Sequence, residues 1–159
     1  MKKILLIVVS IITLFVITGC GKSNKSNKTE IIDYQLAENG DFVMAESEVK
    51  DEITFYNVNV NDINVQLIIV RASDGTIRTV FNTCQVCNPS PKAYFVREGD
   101  YLVCQNCGNR YHIDKLGLER GGCNPIPISG SEREDSDGNI IIPAELLEEM
   151  APRFKNLAL

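Results

Sequence analysis

Ile53-Thr-Phe-Tyr-Asn-Val-Asn-Val60, Val65-Gln-Leu-Ile-Ile-Val70 and Thr76-Ile-Arg-Thr-Val-Phe81 follow one another, parted by Asn61-Asp62 and by Ser73-Asp74-Gly75. β-Branched and aromatic side chains fit the pleated surface of a sheet, while Asn, Asp and Gly accept the backbone angles of tight turns. The segment therefore predicts a meander of three strands with a hairpin turn at 73–75. The first run alternates at its end, as a half-covered strand does. The second is apolar on both parities, which implies that much of both faces is covered.

Working outward, Lys92-Ala-Tyr-Phe-Val96 and Tyr101-Leu-Val103 predict a further short strand pair joined through Arg97-Glu-Gly-Asp100. Residues 31–52 are ambiguous, with a possible strand at 41–45 and no helical stripe. Ser131 to Asn139 reads as a polar, acidic loop. Pro143-Ala-Glu-Leu-Leu-Glu-Glu-Met150 predicts a short helix, since proline suits a first helical turn and the rest are good helix formers. Pro152, Arg153 and Phe154 are expected to close the fold, and nothing repeats internally.

Between and beyond the strand signals lie the cysteines. Cys84-Gln-Val-Cys87 and Cys104-Gln-Asn-Cys107 are two C-x2-C pairs, with sixteen residues between them. Two intervening residues let a tight turn aim both sulfurs at one ion, and two such turns side by side complete a tetrahedron. Asn106, Gly108 and Asn109 tolerate left-handed backbone and suit such a turn. Cys84, Cys87, Cys104 and Cys107 are thus the expected metal ligands, carried on hairpin tips. Cys123, in the turn-rich Gly121-Gly-Cys-Asn-Pro-Ile-Pro127, is a further candidate, as a fifth or exchangeable ligand or a buried thiol. His112 is a weaker one, since a single histidine in a strand-like stretch is more often structural. Two other readings stay open. Disulfides suit an oxidising compartment, although one closed within C-x2-C stabilises little. A thiol–disulfide oxidoreductase would place its pair at the start of a helix in a βαβ unit, and here both pairs lie in a β-rich setting.

The N-terminus fixes the compartment. Lys2-Lys3 precedes an uncharged apolar run from Ile4 to Thr18, and polarity returns at Cys20. That is the layout of a signal peptide, and the run is shorter than the roughly 20 residues of a membrane span. Ile17-Thr18-Gly19-Cys20 resembles the lipobox of bacterial lipoproteins, which implies cleavage before Cys20 and lipidation of its thiol. The expected organisation is a signal peptide over residues 1–19, the lipidated cysteine and a flexible tether over 20–33, and an extracytoplasmic domain over 34–159. Gly21 to Glu30 contains no large apolar residue and cannot pack. The whole chain carries a net charge of -5, and loss of Lys2 and Lys3 with the signal makes the remainder more acidic. Such a chain is repelled by phosphate backbones and anionic headgroups, so nucleic acid is excluded as a partner and membrane attachment falls to the acyl chains.

Taken together, Asp74-Gly75, Phe81-Asn-Thr-Cys84, Cys87, Gly99-Asp100, Leu102-Val-Cys104-Gln-Asn-Cys107-Gly108, Tyr111 and Gly121-Gly-Cys-Asn-Pro-Ile-Pro127 resemble the FtrD-like family of membrane-associated iron–sulfur proteins. The resemblance implies an extracytoplasmic iron–sulfur domain, sometimes linked with iron uptake. There is a looser similarity to Rieske domains, whose two cluster loops sit on adjacent hairpins under a proline-rich third loop; with the strand and helix signals above, the expected fold is mainly β, a Rieske-like antiparallel meander with metal-binding hairpin loops and a short C-terminal helix. In that analogy Cys87 and Cys107 stand where Rieske histidines would. All-thiolate ligation would then lower the potential.

Export bears on the metal. Lys2-Lys3 is not a twin-arginine signal, so the chain is expected to cross unfolded and to acquire its metal outside. Zinc needs no assembly machinery and is satisfied by four thiolates, so an iron–sulfur cluster and zinc both remain open. Two function classes follow: a centre that passes electrons or iron to a membrane redox or metal-transport protein, and a structural zinc clip in a binding module. No Ser/His/Asp arrangement, phosphate loop or outstanding carboxylate pair points to an enzyme.

Overall fold

The computed structural model describes residues 29–159. The expected signal peptide and Cys20 lie outside them. Eleven strands occur among the described residues: β1 (Glu30–Asp33), β2 (Phe42–Ala45), β3 (Thr54–Val60), β4 (Ile63–Arg71), β5 (Ile77–Cys84), β6 (Phe95–Glu98), β7 (Tyr101–Cys104), β8 (Arg110–His112), β9 (Pro125–Pro127), β10 (Glu134–Ser136) and β11 (Asn139–Ile142). One α-helix, α1 (Ala144–Met150), follows, continued by a 3-10 turn over Ala151–Phe154. No helix among the described residues is long and apolar enough to cross a membrane.

The expected meander is β3-β4-β5, the middle of a five-stranded sheet of order β1-β3-β4-β5-β9. Its first hairpin closes at Asn61 and Asp62, with φ of 50° and 63°. Two consecutive left-handed residues make the two-residue turn whose twist matches antiparallel strands, and Asn and Asp are among the few side chains that tolerate it. The second turn places Gly75 at φ 80°, while Asp74 accepts hydrogen bonds from the Thr76 N–H at 2.9 Å and hydroxyl at 2.5 Å.

Side-chain alternation divides this sheet between two cores. Tyr56, Val58, Val65, Leu67, Ile69 and Phe81 face one way, against Phe42, Met44, Ile140, Ile142, Leu147 and Phe154 from the sheet β10-β11-β2 and the C-terminal helix. Ile53, Phe55, Ile68, Val70 and Val80 face the other, against Phe95, Leu102, Ile113 and Leu116 of the sheet β6-β7-β8 and its following turn. Leu67 and Ile68, neighbours in β4, are both 0% exposed, so that strand is covered on both sides. Each such burial contributes about 2 kcal/mol.

A line of amides crosses the sheet within these layers. Asn57 donates to Asp33 at 3.0 Å, Gln66 to Asn57 at 2.7 Å, and Asn82 to Gln66 at 2.6 Å. Asn82 also holds both backbone groups of Phe95, accepting from its N–H at 2.8 Å and donating to its carbonyl at 3.1 Å. It thereby ties the sheet β6-β7-β8 to β5.

Three expectations are revised. Glu30 to Asp33, assigned to the tether, form β1 and pair in parallel with Thr54 to Asn57; the pairing satisfies backbone groups whatever the side chains. Residues 134–136, inside the expected acidic loop, form β10, paired with β11 around Asp137 and Gly138 at φ 52° and 73°. The strand pair forecast at 92–96 and 101–103 starts later, at Phe95, and turns at Gly99-Asp100. The mainly β class, the antiparallel meander and the short C-terminal helix stand as expected.

Candidate metal centre

Cys84 and Cys104 are each the last residue of a strand, β5 and β7, and the two loops that follow are built alike. The Cys84 N–H donates to the Ala93 carbonyl at 2.8 Å, and its carbonyl accepts from the Asn88 N–H at 3.1 Å. The Cys104 N–H donates to the Asn109 carbonyl at 3.0 Å, and its carbonyl accepts from the Gly108 N–H at 2.9 Å. Gly108 needs φ 74° to close its turn, a conformation glycine adopts without steric cost. In each loop the chain curls back over its first cysteine, carrying the second cysteine on the curl.

A third loop, residues 119–124, lies over the first two. Gly121 and Gly122, at φ 86° and 78°, swing the chain so that Cys123 is delivered to the centre. Gln85 straps this loop down. Its amide nitrogen donates to the Asn124 side chain at 2.7 Å and the Pro125 carbonyl at 3.1 Å, and its amide oxygen accepts from the Gly121 N–H at 2.8 Å. From the second loop, Asn109 donates to the Cys123 carbonyl at 2.6 Å. β9 then pairs with the end of β5, and as an edge strand it accommodates prolines that lack an N–H.

The sulfurs converge. Cys123 Sγ lies 3.2 Å from Cys84 Sγ and 3.9 Å from Cys87 Sγ, and Cys87 Sγ lies 3.9 Å from Cys104 Sγ. The sulfurs of Cys84, Cys87, Cys104 and Cys123 all fall within 4.8 Å of one another. Cys107 Sγ lies against Cys123 Sγ, and the two Cα atoms are 7.9 Å apart. Cysteines with Cα atoms beyond about 7 Å cannot be bridged without backbone movement. The pair is better described as two thiols crowded onto one centre. Cys84 and Cys104 are buried at its floor, Cys87 and Cys123 are half-buried, and Cys107 is exposed.

Burial pushes the Cys84 thiol up to about 12, against the pull of the Cys87 and Val86 backbone N–H groups that point at its sulfur. A bound cation reverses the effect of burial, because a coordinating thiol is deprotonated outright. The N–H groups then serve as donors to thiolate.

Of the four cysteines expected as ligands, the structure brings Cys84, Cys87 and Cys104 together. The structure adds Cys123 to the close group and sets Cys107 beside it. His112, the other candidate, ends β8 away from that group: its Nδ1 accepts from the Asp114 N–H at 3.2 Å and its ring meets Tyr101 edge-on at 5.0 Å. It belongs to none of the potential ligand groups found among the described residues. Gln85 and Asn109 position the third loop; the sequence marked Asn109 only as a turn former and gave Gln85 no role.

Residues 49–154 match the family described as membrane iron-sulfur containing protein FtrD-like. No curated protein and no solved structure matches the chain.

Proposed function

This chain belongs to the FtrD-like family of membrane iron–sulfur containing proteins, and from that premise we propose that it is a lipid-anchored extracytoplasmic protein whose cysteine centre carries iron for electron transfer or iron delivery to a membrane partner. The observation that carries the reading is the convergence of sulfurs from three loops within 4.8 Å. Buried thiols gathered this closely are costly to deprotonate without a cation, and a transition metal repays that cost.

The donor set fits the family's cofactor. Iron–sulfur clusters are held by cysteine thiolates, and the loops of Cys84 and Cys104 each offer a pair, with Cys123 in reach of both. When bound, iron supplies one-electron redox chemistry. The chain's own contribution is to hold the thiolates, cover them with the third loop and aim backbone N–H groups at Cys84. The lipobox at Ile17 to Cys20 supports anchoring. A Cys20→Ser variant is expected to shift from the membrane fraction to the soluble one; retention on the membrane would contradict the anchor.

The tightness of the group supports a second reading. Metal–sulfur bonds of about 2.3 Å in a tetrahedron place sulfurs about 3.8 Å apart, and the Cys87–Cys123 and Cys87–Cys104 separations are both 3.9 Å. Those two separations support one ion, zinc or iron, as the second reading, while Cys84 and Cys123 stand closer at 3.2 Å. A visible spectrum of the anaerobically purified protein separates the readings. The iron proposal expects coloured thiolate-to-iron charge-transfer bands; a colourless protein with one zinc per chain would replace it with the structural clip. A disulfide account explains less, because it leaves Cys84, Cys87 and Cys104 unpaired.

A further inference from the structure

A tetrahedral thiolate site needs four sulfurs, and here five meet. The surplus is graded by depth: two thiols lie buried on the floor, two half-buried, and one, Cys107, exposed. The four within mutual reach are Cys84, Cys87, Cys104 and Cys123, and Cys107 touches that group through Cys123. A purely structural clip has no use for an exposed fifth thiol in contact with one of its ligands.

The geometry points to a division of labour, in which Cys123 is the resident fourth ligand and Cys107 is an outer docking thiol that receives a metal ion from solvent or a partner and exchanges it with Cys123. This inference rests on the reading of the cysteines as a metal centre and deepens it, identifying a transferable divalent ion as cargo. The exchange is a ligand substitution. The Cys107 sulfur–metal bond breaks as the Cys123 sulfur–metal bond forms, the proton leaving Cys123 is taken up by Cys107 or water, and no electron moves. Departure runs the same path in reverse.

The arrangement of the second and third loops supports these roles. Cys123 is fixed from two sides, by Asn109 on its carbonyl at 2.6 Å and by Gln85 on the Asn124 side chain at 2.7 Å. Cys107 stands at the rim between Asn106 and Gly108, all three exposed, where a donor molecule can approach it.

The test uses the reduced full-length protein with cobalt(II) as probe, whose visible bands report tetrahedral thiolate ligation. Affinity and the rate of loss to a chelator are measured for wild type, Cys107→Ser, Cys123→Ser and Cys104→Ser. Cys123→Ser and Cys104→Ser are expected to weaken binding about 100-fold or more, beyond the loss typical of disturbing a ligand's supporting partner. Cys107→Ser is expected to slow both uptake and loss about tenfold while costing far less affinity than Cys123→Ser. Alkylation of the loaded wild type gives a readout that needs no variant: iodoacetamide should modify Cys107 and spare Cys84, Cys87, Cys104 and Cys123. An affinity loss in Cys107→Ser equal to that in Cys104→Ser, unchanged exchange rates in Cys107→Ser, or alkylation of Cys123 with Cys107 protected would each overturn the assignment. Failure of the wild type to take up any metal would instead remove the metal-centre reading beneath it.

Discussion

Asn82 is 0% exposed and makes three hydrogen bonds, two of them to Phe95. Its oxygen takes the Phe95 N–H, and its nitrogen serves both the Phe95 carbonyl and Gln66. Replacing it with alanine leaves three buried polar groups without partners, each costing about 1–3 kcal/mol. Asn82→Ala is therefore expected to lower unfolding free energy by about 3 kcal/mol or more in urea denaturation; a change under about 0.5 kcal/mol, the level of an ordinary surface substitution, would contradict its role. At this scale the sequence was legible where the chemistry is local. Cys84, Cys87 and Cys104 were expected from the two C-x2-C pairs and are brought together, whereas the same spacing pointed to Cys107, which lies outside the close group. The placing of Cys123 ahead of Cys107 in the close group was not legible, since it depends on how a loop sixteen residues further on folds back.

Among the elements, the loop of residues 119–124 carries Cys123 to the group, and the Gln85 side chain fastens it. Cutting the side chain back in Gln85→Ala removes bonds to Asn124, Pro125 and Gly121 while leaving every cysteine in place. The fold is expected to persist, with metal lost about 10–100-fold faster, the range typical when a ligand's supporting partner is removed. Stopped-flow transfer to a chelator measures this directly, and an unaltered rate would show that Gln85 is not what fastens the loop. The long strands β3, β4 and β5 could be read in advance because seven to nine residues carry enough alternation to outweigh chance. β8, β9 and β10 have three residues each, too few for a period to register. β9 consists of Pro125, Ile126 and Pro127, a composition that argues against a strand unless it lies at an edge.

For the molecule as a whole, the decisive feature is that the two cores are separable. The core over β2, β11 and α1 contains no cysteine, whereas the other includes Cys84 and Cys104, with Cys87 and Cys123 packed against it. The first core gives the central sheet a foundation that does not depend on metal, while the second closes around the centre. A cysteine variant should therefore keep its β structure and lose only what the sulfurs hold, which makes the comparison of variants interpretable. The most direct measurement is the metal and acid-labile sulfide content of the anaerobically purified protein beside that of Cys104→Ser. Cysteine ligation predicts bound metal in the wild type and its loss in the variant, with iron the metal found. Absence of metal in a wild type that also lacks free thiols would contradict it, and would return the five cysteines to disulfide chemistry.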